Sequence, residues 1–240
     1  MIRQVGAFAA VVLLTGCGLS LTTTTASSDD SAPLPSLTSQ PNQIKTPGLN
    51  EALSVDAEPL QIDDIVMIGD SITVGSTPEL ESAFAEIGFD DVLIVSQNGK
   101  RIDRNADDNP SGTSVAEFLT SEPLDRSAEL WIVALGTNDV NQYLEEDLRV
   151  AIAEILAAVP TESPLVWVET YFGLQPDGAS LLNDTVAEML AERGNATIAP
   201  WSAVAESDGV LREDGVHLYG LGNQLFAKTV VDTVAGLIRG

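Results

Sequence analysis

Four short blocks in this 240-residue chain hold residue types that can do acyl chemistry: Gly69-Asp70-Ser71-Ile72, Asn98-Gly99, Gly136-Thr137-Asn138-Asp139 and Asp214-Gly215-Val216-His217. His217 is the one histidine in a sequence with 36 acidic residues. A serine hydroxyl attacks an ester only when a base takes its proton, and an imidazole base needs a third group to hold its tautomer. Ser71 is therefore the candidate nucleophile, His217 the base acting through Nε2, and Asp214 the acceptor for Nδ1. The oxyanion that forms on attack needs preorganised donors, each contributing roughly 2.7–4 kcal/mol. The backbone N–H groups of Ser71 and Gly99 and the side-chain amide of Asn138 are the natural set. Gly99 suits that role because a residue without Cβ lets backbone and substrate approach closely. Asp70 and Asp139 flank these residues and read as carboxylates that hold loop backbone rather than carry protons.

These blocks must be positioned by regular elements, and the chain from residue 62 onward supplies them. Short apolar runs at Ile65–Ile68, Val92–Val95, Leu130–Leu135 and Leu165–Val168, with a weaker one at Thr197–Ala199, read as strands buried on both faces. Between them the apolar period becomes helical: Leu80, Ala83, Phe84 and Ile87; Leu148, Ile152, Ile155 and Val159; Leu182, Val186, Met189 and Leu190; Phe226, Val230, Val234 and Leu237. A shorter helix is expected over 112–120. Ser76 and Glu79 have capping-box spacing, which places the start of the first helix there, with Pro78 in its first turn and Gly88 at its end. Alternating strands and helices mean right-handed crossovers and a three-layer α/β/α domain around a five-stranded parallel sheet. Ligands of such sheets bind beyond the carboxyl ends of the strands; three of the blocks follow strands one to three and should share one crevice, and Asp214 and His217 precede the last helix.

Taken together, in order and at these spacings, the blocks resemble the SGNH (GDSL-type) hydrolases over roughly residues 62–240. Ser71, Gly99, Asn138 and His217 match the four name-giving positions, with Asp214 as third member of the triad. The resemblance implies a flavodoxin-like fold and ester chemistry through an acyl-enzyme, with no cofactor. Thr73 stands where a Gly-x-Ser-x-Gly elbow needs glycine, so the α/β-hydrolases fit less well. The stretch APWSAVAESDGVLREDGVHL also resembles the extracellular SGNH domain of envelope polysaccharide O-acetyltransferases. Those proteins carry a many-pass membrane acyltransferase ahead of that domain. Beyond the N-terminal signal this chain has no apolar stretch of membrane-spanning length, which favours hydrolysis, or transfer with a membrane acyltransferase acting in trans.

The ends and the composition set the compartment. Arg3, the apolar run Val5–Leu14 and Leu14-Thr15-Gly16-Cys17 read as a secretory signal, the run being too short for the ~20 residues of a membrane span. The last four residues resemble a bacterial lipobox, so residues 1–16 are expected to be removed and Cys17, the only cysteine, to carry lipid. Residues 17–60, rich in Ser, Thr and Pro, read as a flexible tether with a root-mean-square reach of roughly 35–40 Å. Residues 61–240 form the hydrolase domain, placed on the outer face of the cytoplasmic membrane. A net charge of −25 excludes nucleic acid as a partner. One histidine and one lipidated cysteine leave no transition-metal site. The acid-rich DRNADDNPSG at 103–112 lacks the glycine and glutamate of a calcium loop and reads as solvated. Trp201 and Tyr171 follow later strands and read equally well as pocket lining or packing. No exposed apolar stripe is evident, so a monomer is expected.

The leading expectation is a serine esterase that removes small O-acyl groups, acetyl above all, from a cell-envelope glycan or glycolipid. Acyl transfer to a sugar hydroxyl, a lipase or lysophospholipase, and a silent binding lipoprotein are the rivals. A histidine base works when neutral, so the rate is expected to rise through roughly pH 6–7.5. A neutral substrate would leave activity nearly independent of salt.

Overall fold

The computed structural model describes residue 60, residues 62–121 and residues 129–239. The expectations for the signal at 1–16, for Cys17 and for the tether up to residue 59 lie outside the described residues. Within them, the chain alternates β1 (Ile65–Gly69), α1 (Ser71–Glu86), β2 (Leu93–Ser96), α2 (Gly112–Ser121), β3 (Leu130–Ala134), α3 (Glu145–Ala158), β4 (Leu165–Val168), α4 (Pro176–Arg193), β5 (Ala196–Ala199), α5 (Trp201–Ala205) and α6 (Gly220–Arg239). The five strands form one parallel sheet in the order β2-β1-β3-β4-β5. This is the doubly wound, flavodoxin-like order.

Side chains alternate across each strand, and this divides the interior into two cores. Ile65 and Met67 of β1, Leu130 and Ile132 of β3 and Val166 of β4 face α1, α5 and α6, against Leu80, Phe84, Trp201, Phe226 and Val230. Val66 and Ile68, Trp131 and Val133, and Leu165 and Trp167 face α2, α3 and α4, against Val115, Ile152, Ile155, Leu182 and Val186. Three layers result, as the alternation predicts. The strands β1, β3 and β4 are buried throughout, whereas β2 is half-buried along its length. Its apolar run suggests burial on both faces, but an edge strand has one open flank, and sequence alone does not say which strand takes it.

Two boundaries differ from expectation. The first helix begins at Ser71, five residues before Ser76. Asp70, with extended backbone at φ −102° and ψ −153°, accepts from the Ile72 N–H at 2.9 Å. That is N-cap geometry, and it pre-empts the Ser76–Glu79 box. Ser76 is instead buried in mid-helix and donates to Asn223 Oδ1 of α6 at 3.3 Å, while Pro78 lies inside the helix. The short α5 has no counterpart among the expected helices, because five residues are too few to show a helical period.

All five strands end on the same edge of the sheet. β1 lies between β2 and β3, so the chain leaves β1 toward one side and later elements fill the other. The crevice at that switch point is the place such a sheet offers to a ligand.

Candidate active site

The turn after β1 is tight because it is pinned on both sides. A Cβ on Gly69 would meet Thr73 Oγ1 at 2.0 Å, so only glycine lets the strand end so close to the first turn of α1. Asp70 is buried and caps the helix, which makes Ser71 the first helical residue. The Ile72 N–H is taken by Asp70, while the Ser71 N–H makes no hydrogen bond among the described residues. It stands free at the positive end of a 16-residue helix.

The structure brings Ser71, His217 and Asp214 together. His217 Nε2 lies 3.2 Å from Ser71 Oγ, across 146 positions of sequence. On its other side, Nδ1 lies 2.8 Å from Asp214 Oδ2. The Oδ1 atom of Asp214 accepts from the backbone N–H groups of His217 at 2.9 Å and Val216 at 3.0 Å, so the carboxylate is fixed before it meets the ring. These bonds, that to His217 first and that to Val216 next, pull the Asp214 carboxyl down to about 2, and it stays anionic. Backbone pairing of Arg212 N with His217 O (2.7 Å) and of Tyr219 N with Val210 O (3.0 Å) folds 210–219 back on itself. Even so, the side chains of His217 and Asp214 are 47% and 50% exposed.

The opposite wall is built differently. Gly99 sits at φ +72°, a left-handed conformation that favours glycine, and its N–H makes no hydrogen bond among the described residues. The next residue, Lys100, is only 2% exposed. Its Nζ donates to Pro110 O at 2.6 Å and Asn109 Oδ1 at 3.3 Å, and burial lowers its pKa. Asn109 Nδ2 in turn donates to Asn98 O at 2.9 Å. The 103–112 stretch is therefore wired into the Asn98-Gly99 turn rather than merely solvated. Asn138 Nδ2 donates to Lys100 O at 3.0 Å and, at a longer 3.4 Å, to Asp70 Oδ2.

Asp70 and Asp139 hold backbone, as their types and places suggest. Asp139 Oδ2 accepts from Ile102 N at 3.2 Å, tying the end of β3 to the loop after β2. Tyr143 donates to Asp103 and, at 3.3 Å, to Asp139. Burial pushes the Asp70 carboxyl up to about 6 and that of Asp139 up to about 7, against the opposing backbone bonds. Lys100, Tyr143 and the bond from Thr137 to Asp70 have no visible signature in the sequence: each looks like an ordinary loop residue until the chain folds.

A cleft of about 520 Å³ lies over these groups, lined by Ser71, Gly99, Asn138 and His217 together with Ile72, Val74, Gly75, Asn98, Arg212, Leu218 and Asn223. Trp201 and Tyr171 are not among its lining. Trp201 is buried and packs edge-on against Phe226, ring centres 5.1 Å apart, and Tyr171 is half-buried against the same core. Of their two readings, packing holds. Among the described residues, no group of three or more His, Cys, Asp or Glu is arranged to hold a metal ion, and no helix is long and apolar enough to cross a membrane.

No protein-family model and no curated protein matches the chain. Solved structures do. The C-terminal catalytic domain of Streptococcus pneumoniae peptidoglycan O-acetyltransferase A, determined with a methylsulfonyl adduct, is 21% identical. It aligns over 75% of this chain and 94% of that domain, with a TM-score of 0.54. A carbohydrate esterase of family 3 from Talaromyces cellulolyticus is 17% identical over 73% of this chain and 98% of that one, with a TM-score of 0.57. A member of the lipolytic G-D-S-L family from Veillonella parvula is 18% identical over 72% and 98%, with a TM-score of 0.55. With its five-stranded parallel sheet and flanking helices, the chain has the SGNH-hydrolase fold.

Proposed function

We propose that this protein is a serine esterase that removes small O-acyl groups, acetyl above all, from a cell-envelope glycan or glycolipid. The observation that carries this reading is the single line of contacts Asp214–His217–Ser71, with one carboxylate oxygen and one serine oxygen on opposite ring nitrogens. Its residues sit at the switch point of a fold shared with carbohydrate esterases and with a peptidoglycan O-acetyltransferase domain.

In this reading His217 Nε2 takes the proton of Ser71 Oγ as the oxygen attacks the ester carbonyl. Asp214 holds the proton on Nδ1 and balances the imidazolium that forms. The carbonyl oxygen becomes an oxyanion between the free N–H groups of Ser71 and Gly99. Asn138 contributes its amide by giving up the longer of its two contacts, that to Asp70. Collapse breaks the bond to the alcohol, which leaves with the proton from His217, and water then attacks the acyl-enzyme with His217 again as base. An acceptor sugar hydroxyl in place of that water would make the same site a transferase. The likeness to the O-acetyltransferase domain favours this as the second reading. Cys17 as a lipid attachment, removal of 1–16, a tether over 17–60 and a monomeric 61–240 domain outside the cytoplasmic membrane complete the proposal.

The test is turnover of p-nitrophenyl acetate, butyrate and palmitate by the full chain and by Ser71→Ala. Acetate hydrolysis that disappears in the variant supports an acetylesterase. Undiminished hydrolysis by Ser71→Ala overturns the reading, and preference for palmitate moves it to a lipase.

A further inference from the structure

The chain has 11 basic residues against 36 acidic ones, and most of the basic side chains the structure describes have partners. Arg149 pairs with Glu188 at 2.7 Å and Lys228 with Asp232 at 2.7 Å. Lys100 is buried on a carbonyl and an amide oxygen. The Arg104 guanidinium lies 4.2 Å from the centre of the Tyr143 ring. Arg212 is set apart by its place. Its Nε donates to Leu218 O at 2.9 Å, but among the described residues no carboxylate forms an ion pair with it. Lys100, Arg104 and Arg193 likewise meet no carboxylate there, but among the described basic residues Arg212 alone lines the cleft that holds Ser71 and His217.

Its position on that cleft says which part of a substrate it meets. The bond to Leu218 orients the guanidinium plane, and among the described residues Nη1 and Nη2 make no hydrogen bond. Arg212 N also donates to His217 O at 2.7 Å, so Arg212 lies beside the base in the folded-back 210–219 segment. In an acyl transfer the leaving alcohol must lie next to the base that protonates it, whereas the carbonyl oxygen points to the opposite, Gly99–Asn138 wall. Arg212 therefore faces the alcohol half of the ester. Asn223, whose Oδ1 accepts from Ser76, lines the same cleft and offers its amide to a sugar hydroxyl.

We propose that the preferred substrate carries an anionic group, a carboxylate or a phosphate, on its alcohol half, and that Arg212 binds this group through Nη1 and Nη2. The planar fork of a guanidinium matches both anions in two parallel hydrogen bonds. The net charge of −25 does not oppose this. Charges more than a Debye length of roughly 8–10 Å away are largely screened, while a contact pair is not. The same acidic surface turns away polyanions and so narrows the choice to a glycan with isolated charges. The proposal deepens the esterase reading and rests on it for the placement of the alcohol.

The experiment compares kcat/KM of the full chain on O-acetylated methyl glucoside, methyl glucuronoside and methyl glucoside 6-phosphate. Arg212→Gln, Arg212→Lys and Arg212→Glu are assayed alongside. The quantity read is the ratio of anionic to neutral substrate within each preparation, which cancels any disturbance of His217 by the substitution. The wild type should favour at least one anionic ester by about tenfold, mainly through KM. Arg212→Gln should bring the ratio near one, Arg212→Lys should keep part of it, and Arg212→Glu should invert it. The larger of the two wild-type ratios names the anion. A wild-type ratio of one that the variants leave alone overturns the inference while leaving the esterase reading intact. Should no ester be turned over in a Ser71-dependent way, calorimetric binding of methyl glucuronoside, methyl glucoside 6-phosphate and methyl glucoside to the Ser71→Ala protein decides instead. An anion preference that Arg212→Gln abolishes upholds Arg212 as an anion site, and equal binding overturns it.

Discussion

The two walls of the cleft are held by different means. On the Gly99–Asn138 side, Asn138 and Asp139 tie the loop after β3 to the loop after β2 through buried or half-buried contacts, while Lys100 and Asn109 pin the loop after β2 to itself. On the base side, Asp214 and His217 stand about half exposed on a segment kept in shape chiefly by its own backbone bonds. The proposed reaction accounts for the contrast. Oxyanion donors work best when they are already in place and need no reorganisation as charge develops. A histidine that relays protons to an alcohol and then from water must meet solvent and leaving group in turn. A rigid wall and an open wall thus face each other across one serine.

Four substitutions sharpen or break that contrast, and the largest effect is expected where the walls meet. Ser71→Ala removes the atom both walls serve. Its kcat should fall on the order of 10⁴-fold or more, measured as hydrolysis of p-nitrophenyl acetate. On the open wall, Asp214→Asn keeps the backbone hydrogen bonds but favours the wrong imidazole tautomer. A loss of about 10³-fold is expected, somewhat under the ~10⁴-fold seen where such an aspartate is buried. Kinetics at several pH values would check it, and a loss below tenfold would mean that His217 is oriented by its backbone alone.

On the rigid wall, Lys100→Met removes the cation that pins Pro110 and Asn109. A misplacement near 1 Å costs about 10²-fold in rate, so kcat should fall roughly 10–100-fold with KM little changed. The thermal midpoint should fall too, since Pro110 O is left without its donor. A lower midpoint with kcat unchanged would mean that the staple supports the loop but not the oxyanion hole.

The smallest effect concerns stability and pH. Asp70 and Asp139, raised by burial to about 6 and about 7 from an ordinary 3.8, bind more protons in the folded than in the unfolded state between pH 4 and 7. Their contribution is full below pH 4 and declines as pH rises through the two folded values. Asp214, held down at about 2, acts in the opposite sense, and its contribution is lost only as pH falls from 3.8 through that value. The thermal midpoint should therefore be higher at pH 5 than at pH 8, and Asp139→Asn should flatten that difference. A midpoint that rises from pH 5 to pH 8 would mean that these carboxyls are ionised in the fold throughout.

Much of this arrangement is legible before folding, though unevenly. The central strands and the four longer helices announce themselves by period, because burying a face requires apolar residues at fixed intervals. Ser71, Gly99 and Asn138 can be picked out because their types are rare combinations after strands, and Asp214 and His217 because they pair an acid with the one histidine ahead of the last helix; all five line the cleft or lie within a hydrogen bond of a residue that does. The N-cap of α1 is misplaced by six residues because Ser76–Glu79 has the spacing of a cap, while the stronger cap, Asp70, hides inside the motif itself. Lys100 goes unnoticed because lysines are nearly always exposed, and nothing local says that this one will be enclosed.

The amino-acid sequence by itself determined the alternation of strands and helices, the residue types able to do ester chemistry and the strongly acidic surface, since these depend on composition and on short periods along the chain. Only the tertiary structure decided that β2 is an edge, that Ser71 opens a helix, that Lys100 is enclosed and that Arg212 lines the cleft with His217. Each of these is set by contacts between segments far apart in sequence, such as the 146 positions that separate His217 from Ser71, and no local pattern encodes what such a segment will find when it arrives.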